Sequence, residues 1–103
     1  MGRWVEVARE EELDEQLGVE VEGKKYALFR IDGDIYALDD VCSHEYSLLS
    51  EGEIWDDEVY CPKHGSRFDI RTGAVRSLPA FKPVKTHPVR VENGVLLLEI
   101  EDE

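Results

Sequence analysis

Turn pairs punctuate this chain at short intervals, and that punctuation limits what it can fold into. Asp32-Gly33, Glu51-Gly52, Asp56-Asp57, Thr72-Gly73 and Asn93-Gly94 are dipeptides suited to tight reversals. The runs VEVEG, KKYALFRI, IYALDD, GEIW, EVYC, RFDI, AVRS, HPVRV and VLLLEI each have the length of a strand, and many are rich in β-branched or aromatic residues. Trp4, Val5 and Val7 begin a further strand-like segment, and EEELDEQLG after it reads as a loop in preference to one acidic helical turn. Short strands with a turn every ten or so residues predict an all-β, antiparallel sandwich or barrel-like domain. No repeat, linker or low-complexity tract divides the chain, so residues 1–103 are expected to form one domain. Pro79, Pro83 and Pro88 crowd the stretch SLPAFKPVKTHP, which reads as a stiffened, irregular loop before the last hairpin.

A chain of 103 residues buries roughly two-thirds of its unfolded surface and needs no disulfide staple. No apolar run approaches a membrane span, and Met1 to Arg9 shows neither a secretory h-region nor a lipidation cue. The expectation is a cytoplasmic protein in a reducing compartment, where two cysteines serve as metal ligands or buried thiols more readily than as a disulfide. A net charge of -12 argues against nucleic acid as a partner, because phosphate binding needs a basic face. The charge is uneven: residues 1–60 carry 18 acidic and 5 basic side chains, whereas residues 61–98 carry 2 acidic and 7 basic ones. Either the acidic part steers a basic partner, or it is simply a solvated surface that maintains solubility.

Two short runs concentrate the chemistry. CSH at 42–44 and CPKHG at 61–65 use both cysteines and two of the three histidines. Each pair follows a predicted strand, Cys42 and His44 after YALDDV, Cys61 and His64 after EVY. The 16 residues between His44 and Cys61 hold a strand, a turn and a returning strand, so a hairpin excursion brings the two tips together. Four convergent soft ligands suit a metal centre, with zinc, a two-iron cluster and no metal as the choices. Zinc sites favour C-x2-4-C knuckles or a Cys pair followed by a His pair, and this chain has neither.

The pattern C-x-H, then C-x2-H-G, resembles the Rieske [2Fe-2S] motif. DGDIYALDDVCSH, the GEI segment, CPKHGSRFDIRTGAV and LPAFKPVKTHPV are similar to the small Rieske ferredoxins of ring-hydroxylating oxygenases, over roughly residues 24–100. The resemblance implies an antiparallel Rieske-like β-sandwich with a cluster-binding subdomain of two loops. It also implies one [2Fe-2S] cluster, with Cys42 and Cys61 on the inner iron and His44 and His64 on the outer. High-potential respiratory relatives resemble CTHLGC and CPCHGS, with a disulfide between the loops; Ser47 and Lys63 occupy those positions here, which implies the lower-potential type. Gly65 is expected to let backbone approach the cluster, the Ser66 hydroxyl to donate to a cluster sulfide, and the Pro79 loop with Phe81 to shield it. Phe68 stands where respiratory proteins carry a tyrosine, which removes a second donor. Trp55 and Tyr46 are candidates for excluding water, Lys63 and Arg67 for orienting a partner's carboxylates, and His87 reads as a surface or packing residue.

The function so implied is electron carriage without a substrate site: a NAD(P)H-dependent reductase as donor and a terminal oxygenase as acceptor. A free Rieske ferredoxin serving another acceptor, or a protein like the nitrite-reductase small subunit, shares the chemistry. A structural zinc module is the rival from another class.

Overall fold

The computed structural model of this chain describes residues 2–41, 48–62, 66–76 and 84–101. Among them ten strands form: β1 (Gly2–Arg9), β2 (Gln16–Val21), β3 (Lys24–Ile31), β4 (Asp34–Asp39), β5 (Ile54–Trp55), β6 (Glu58–Tyr60), β7 (Arg67–Asp69), β8 (Thr86–His87), β9 (Val89–Glu92) and β10 (Val95–Glu101). They build three antiparallel sheets, in the orders β1-β10-β9, β2-β3-β4-β8 and β5-β6-β7. The all-β antiparallel expectation is borne out.

Burial along β3 explains the layering. Successive strand side chains point to opposite faces, and in β3 both faces are covered: Tyr26, Ala27, Leu28 and Phe29 are all buried. Ala27, Phe29 and Ile31 join Leu38 of β4 in a first core with Leu49, Val59, Cys61, Phe68, Ile70 and Val84. Tyr26 and Leu28 turn the other way, into a second core with Ala37, Leu13, Leu96, Leu98 and Ile100. The four-stranded sheet is therefore the middle layer, with β1-β10-β9 packed on one face and the small β5-β6-β7 sheet on the other.

Three hairpins close through paired left-handed residues, as their sequences require: Asp32 and Gly33 at φ 51° and 85°, Asn93 and Gly94 at 53° and 76°, and Glu22 and Gly23 at 51° and 84°. Departures from the sequence reading have local causes. The acidic stretch contains a single 3-10 turn over Glu10–Glu12, where the Arg9 N–H donates to the Glu12 carboxylate at 2.8 Å and Leu13 dives into the second core. The run VEVEG begins earlier, at Gln16, because Gln16 and Leu17 find partners in Phe29 and Leu28. AVRS supplies one bridge, Phe68 to Val75. HPVRV divides at Pro88, which lacks a ladder N–H: His87 pairs with β4 while β9 pairs with β10. No helix among the described residues is long and apolar enough to cross a membrane.

Candidate metal centre

The loop bearing Cys42 and His44 leaves the middle sheet after β4 and is closed at its neck. Val41 bridges Leu48, and the Leu49 N–H donates to the Asp40 carbonyl at 2.7 Å. The Asp40 carboxylate, 2% exposed, accepts from the Ser50 N–H at 2.7 Å and from the Ser50 hydroxyl at 2.8 Å. From β2 the Gln16 amide donates to the carbonyls of Ser50 and, at 3.0 Å, Gly52. A 3-10 turn over Leu49–Glu51 then leads into the small sheet. Gly52 is required there for closeness, since its φ of -82° suits any residue: a β-carbon would overlap the Tyr60 carbonyl oxygen.

The second loop hangs from the small sheet. Val59 lies opposite both Ile54 and Phe68, and this register ends at Tyr60 against Arg67. Cys61 follows, 1% exposed, and its N–H donates to the carbonyl of the fully buried Ser66 at 2.7 Å, closing the neck around residues 62–65. The proline-bearing stretch is bounded similarly: the Arg76 N–H donates to the Arg67 carbonyl at 2.7 Å and the Val84 N–H to the Gly73 carbonyl at 2.9 Å. Leu49, Cys61 and Val84, from the edges of the three stretches, share the first core. Cys42, His44, His64, Gly65 and Pro79 lie outside the described residues, as do Tyr46, Ser47, Lys63 and Phe81. The described part fits an iron-sulfur group: a buried thiol on a pinned stem, over an apolar core that the neighbouring stems share.

An arginine ties the small sheet to the middle one. From the turn after β7, Arg71 donates to the Tyr36 hydroxyl at 3.2 Å, to Asp32 at 3.2 Å and to Asp57, and its guanidinium lies over the Tyr36 ring. The Tyr36 hydroxyl and the Asp57 charge outweigh desolvation and hold its pKa above the ordinary arginine value. Arg67 pairs with Glu58 at 3.1 Å and Arg76 with Asp69 at 2.7 Å. The Arg76 hydrogen bond, opposed by burial and helped by the Thr72 and Arg71 N–H groups, holds the Asp69 carboxyl below its usual range. Basic residues of the second part of the chain thus meet Asp32, Asp57 and Glu58 of the first, so folding partly cancels the charge asymmetry. Arg67, expected to meet a partner's carboxylates, is engaged within the chain.

Trp55 and His87 both fall among the described residues. Trp55 ends β5 and is 59% exposed. His87 is a packing histidine, 8% exposed, on the face of the middle sheet opposite the first core. It stacks edge-on against Tyr26 with centroids 4.9 Å apart, and its Nε2–H donates to the Asp39 carboxylate at 2.7 Å. Lys24 Nζ approaches the same carboxylate at 3.4 Å. Burial pushes the Asp39 carboxyl up, but the His87 hydrogen bond and the Lys24 charge reverse this, leaving it below its ordinary 3.8. Sequence reasoning missed Asp40, Gln16 and Arg71, whose short polar runs carry no signal of which distant backbone they reach.

Comparison with known proteins supplies the family context. A family model of the Rieske [2Fe-2S] domain matches residues 3–88. The chain is 38% identical over 100 residues to the ferredoxin component of the naphthalene 1,2-dioxygenase/salicylate 5-hydroxylase systems of a Ralstonia species, covering 95% of this chain and 96% of that one. Its structure is similar to a Sphingomonas yanoikuyae B1 ferredoxin, with a TM-score of 0.90 at 27% identity over 96% of this chain and 100% of that one. It also matches a chain in a complex of reduced oxygenase and oxidized ferredoxin of carbazole 1,9a-dioxygenase, with a TM-score of 0.86 at 30% identity over 92% and 91%.

Proposed function

Since this chain belongs to the Rieske [2Fe-2S] domain family, we propose that Cys42 and Cys61 hold one iron of a [2Fe-2S] cluster and His44 and His64 the other. On this reading residues 1–103 form one cytoplasmic Rieske domain. It takes single electrons from a NAD(P)H-dependent reductase and delivers them to the terminal oxygenase of an aromatic ring-hydroxylating system. It is an electron carrier and performs no substrate chemistry.

One observation carries the reading: the likeness to a dioxygenase ferredoxin component spans 95% of this chain and 96% of the relative, so the two correspond along almost their whole length. The solved complex of a ferredoxin with its oxygenase supports the acceptor assignment. The Rieske match favours iron and sulfide over zinc at the same ligands. When bound, the cluster supplies a one-electron centre whose histidine ligation lifts the potential from about -400 mV into the range of roughly -150 to +300 mV. The chain's own part is positional: the Cys61–Ser66 backbone bond fixes the cysteine stem, and the buried Ser66 brings a hydroxyl to the same neck.

Anaerobically purified protein should be red-brown, contain iron and acid-labile sulfide in equal amounts, and give a rhombic EPR signal after dithionite reduction. With a reductase and a terminal oxygenase it should restore NAD(P)H-dependent ring hydroxylation. A colourless protein with one zinc per chain would overturn the assignment.

A further inference from the structure

Asp40 is an acidic side chain buried beside the neck of the Cys42 loop. It is 2% exposed, and among the described residues no ion pair neutralises it; its two oxygens are satisfied by the Ser50 N–H at 2.7 Å and the Ser50 hydroxyl at 2.8 Å. A buried polar group is costly unless it is hydrogen-bonded, and removing one partner leaves the other unsatisfied, so these bonds hold Asp40 and Ser50 to each other. What these bonds organise is the neck of the Cys42 loop. Asp40 stands two residues before Cys42, and its carbonyl holds Leu49 just after the loop returns. Gly18 of β2 keeps the space beside the pair free, because a β-carbon there would stand 2.7 Å from Ser50 Oγ and 3.1 Å from Asp40 Oδ2. Main chain and side chain of one residue therefore grip two successive residues on the far side of the loop.

We propose that Asp40 is a positioning residue for the metal centre: its clamp on Leu49 and Ser50 fixes where the Cys42 loop leaves and rejoins the sheet, and retention of the cluster depends on it. The proposal rests on the ligand assignment above. Asparagine can keep the geometry, since its carbonyl accepts from the Ser50 N–H while its amide donates to a rotated Ser50 hydroxyl; alanine cannot.

The test compares wild type, Asp40→Ala, Asp40→Asn and Leu98→Ala, the last a control buried in the second core. Cluster half-life is read from visible absorbance during chelator challenge. Hydrogen exchange of the 48–52 segment is read in metal-free protein. Asp40→Ala should shorten the half-life and speed exchange, each about tenfold, while Asp40→Asn stays within about threefold of wild type. Leu98→Ala should lower the melting temperature without selectively loosening residues 48–52. Equal behaviour of Asp40→Ala and Leu98→Ala, or an Asp40→Asn as impaired as Asp40→Ala, would overturn the proposal. Wild type lacking iron would sink the ligand assignment instead, and exchange at 48–52 would still decide whether the clamp exists.

Discussion

Replacing Gly52 by alanine separates two effects of opposite sign. The backbone there has φ -82° and ψ 165°, where alanine is at ease, so chain entropy alone would make the variant more stable by about 0.4–1 kcal/mol. The surroundings demand the reverse. The added methyl would overlap the Tyr60 carbonyl oxygen and lie 3.1 Å from its carbon and 3.2 Å from the Leu49 carbonyl oxygen. These are backbone atoms, so no side-chain rotation relieves the contact. The turn must separate from β6, straining the Tyr60 N–H bond to the Glu53 carbonyl at 2.8 Å and the Gly52 N–H bond to the Leu49 carbonyl at 2.9 Å. Overpacking of about 1–3 kcal/mol plus about 1 kcal/mol for one weakened hydrogen bond, less the entropic gain, leaves a net loss of roughly 1–3.5 kcal/mol. At about 4–8 °C per kcal/mol for a domain of this size, the melting temperature should fall by roughly 4–28 °C. Thermal unfolding of metal-free protein followed by circular dichroism measures it. Gly23→Ala is the comparator: it meets nothing within 4 Å but has φ +84°, and left-handed strain alone should cost about 1–2 kcal/mol. A melting temperature for Gly52→Ala that rises or stays within about 4 °C of wild type would refute the steric argument.

The remaining expectations concern the metal and the acid limb. Cys61→Ser should abolish iron binding whereas His87→Gln should retain it, because His87 faces the second core; iron analysis of the two proteins decides this. Ser66→Ala should lower the midpoint potential, and an unchanged voltammogram would show that the hydroxyl makes no contact with the cluster. Because the Asp39 carboxyl is depressed in the folded state, it contributes stability that is fully present above its ordinary 3.8 and is lost as the pH falls through the folded value. Asp39→Asn should therefore be less stable than wild type at neutral pH, with the gap closing in urea titrations below about pH 4. A gap independent of pH would show that the difference arises from packing.

Much of the architecture was legible because local chemistry dictates it. Asp32-Gly33 and Asn93-Gly94 adopt the paired left-handed geometry that only such residues take easily, and the strands they delimit follow. The layering was less so: KKYALFRI reads as a strand, but that its alternate residues serve two separate cores depends on what packs over each face. Pro88 is visible in sequence, whereas its use as the point where one strand passes between two sheets is a tertiary matter. At the site, Cys61 stood out by its pairing with His64 and Ser66 through the Rieske resemblance, and both prove to be buried at a common neck, while Cys42, His44, His64, Gly65 and Pro79 fall outside the described residues. The Asp40–Ser50 and Arg71–Asp57 contacts join residues 10 and 14 positions apart with no periodic signature, so only the folded chain reveals them.

The outer sheet β1-β10-β9 offers an engineering opening. Among the described residues it contributes to the second core alone, and its far side, where Arg90 stacks 4.4 Å over Trp4, is separated from the Cys61 stem by the whole thickness of the middle layer. A chemical anchor installed at the exposed Glu6 would tether the protein to an electrode back-first. The stems would then be turned toward the solution, and every tethered molecule would share that bearing.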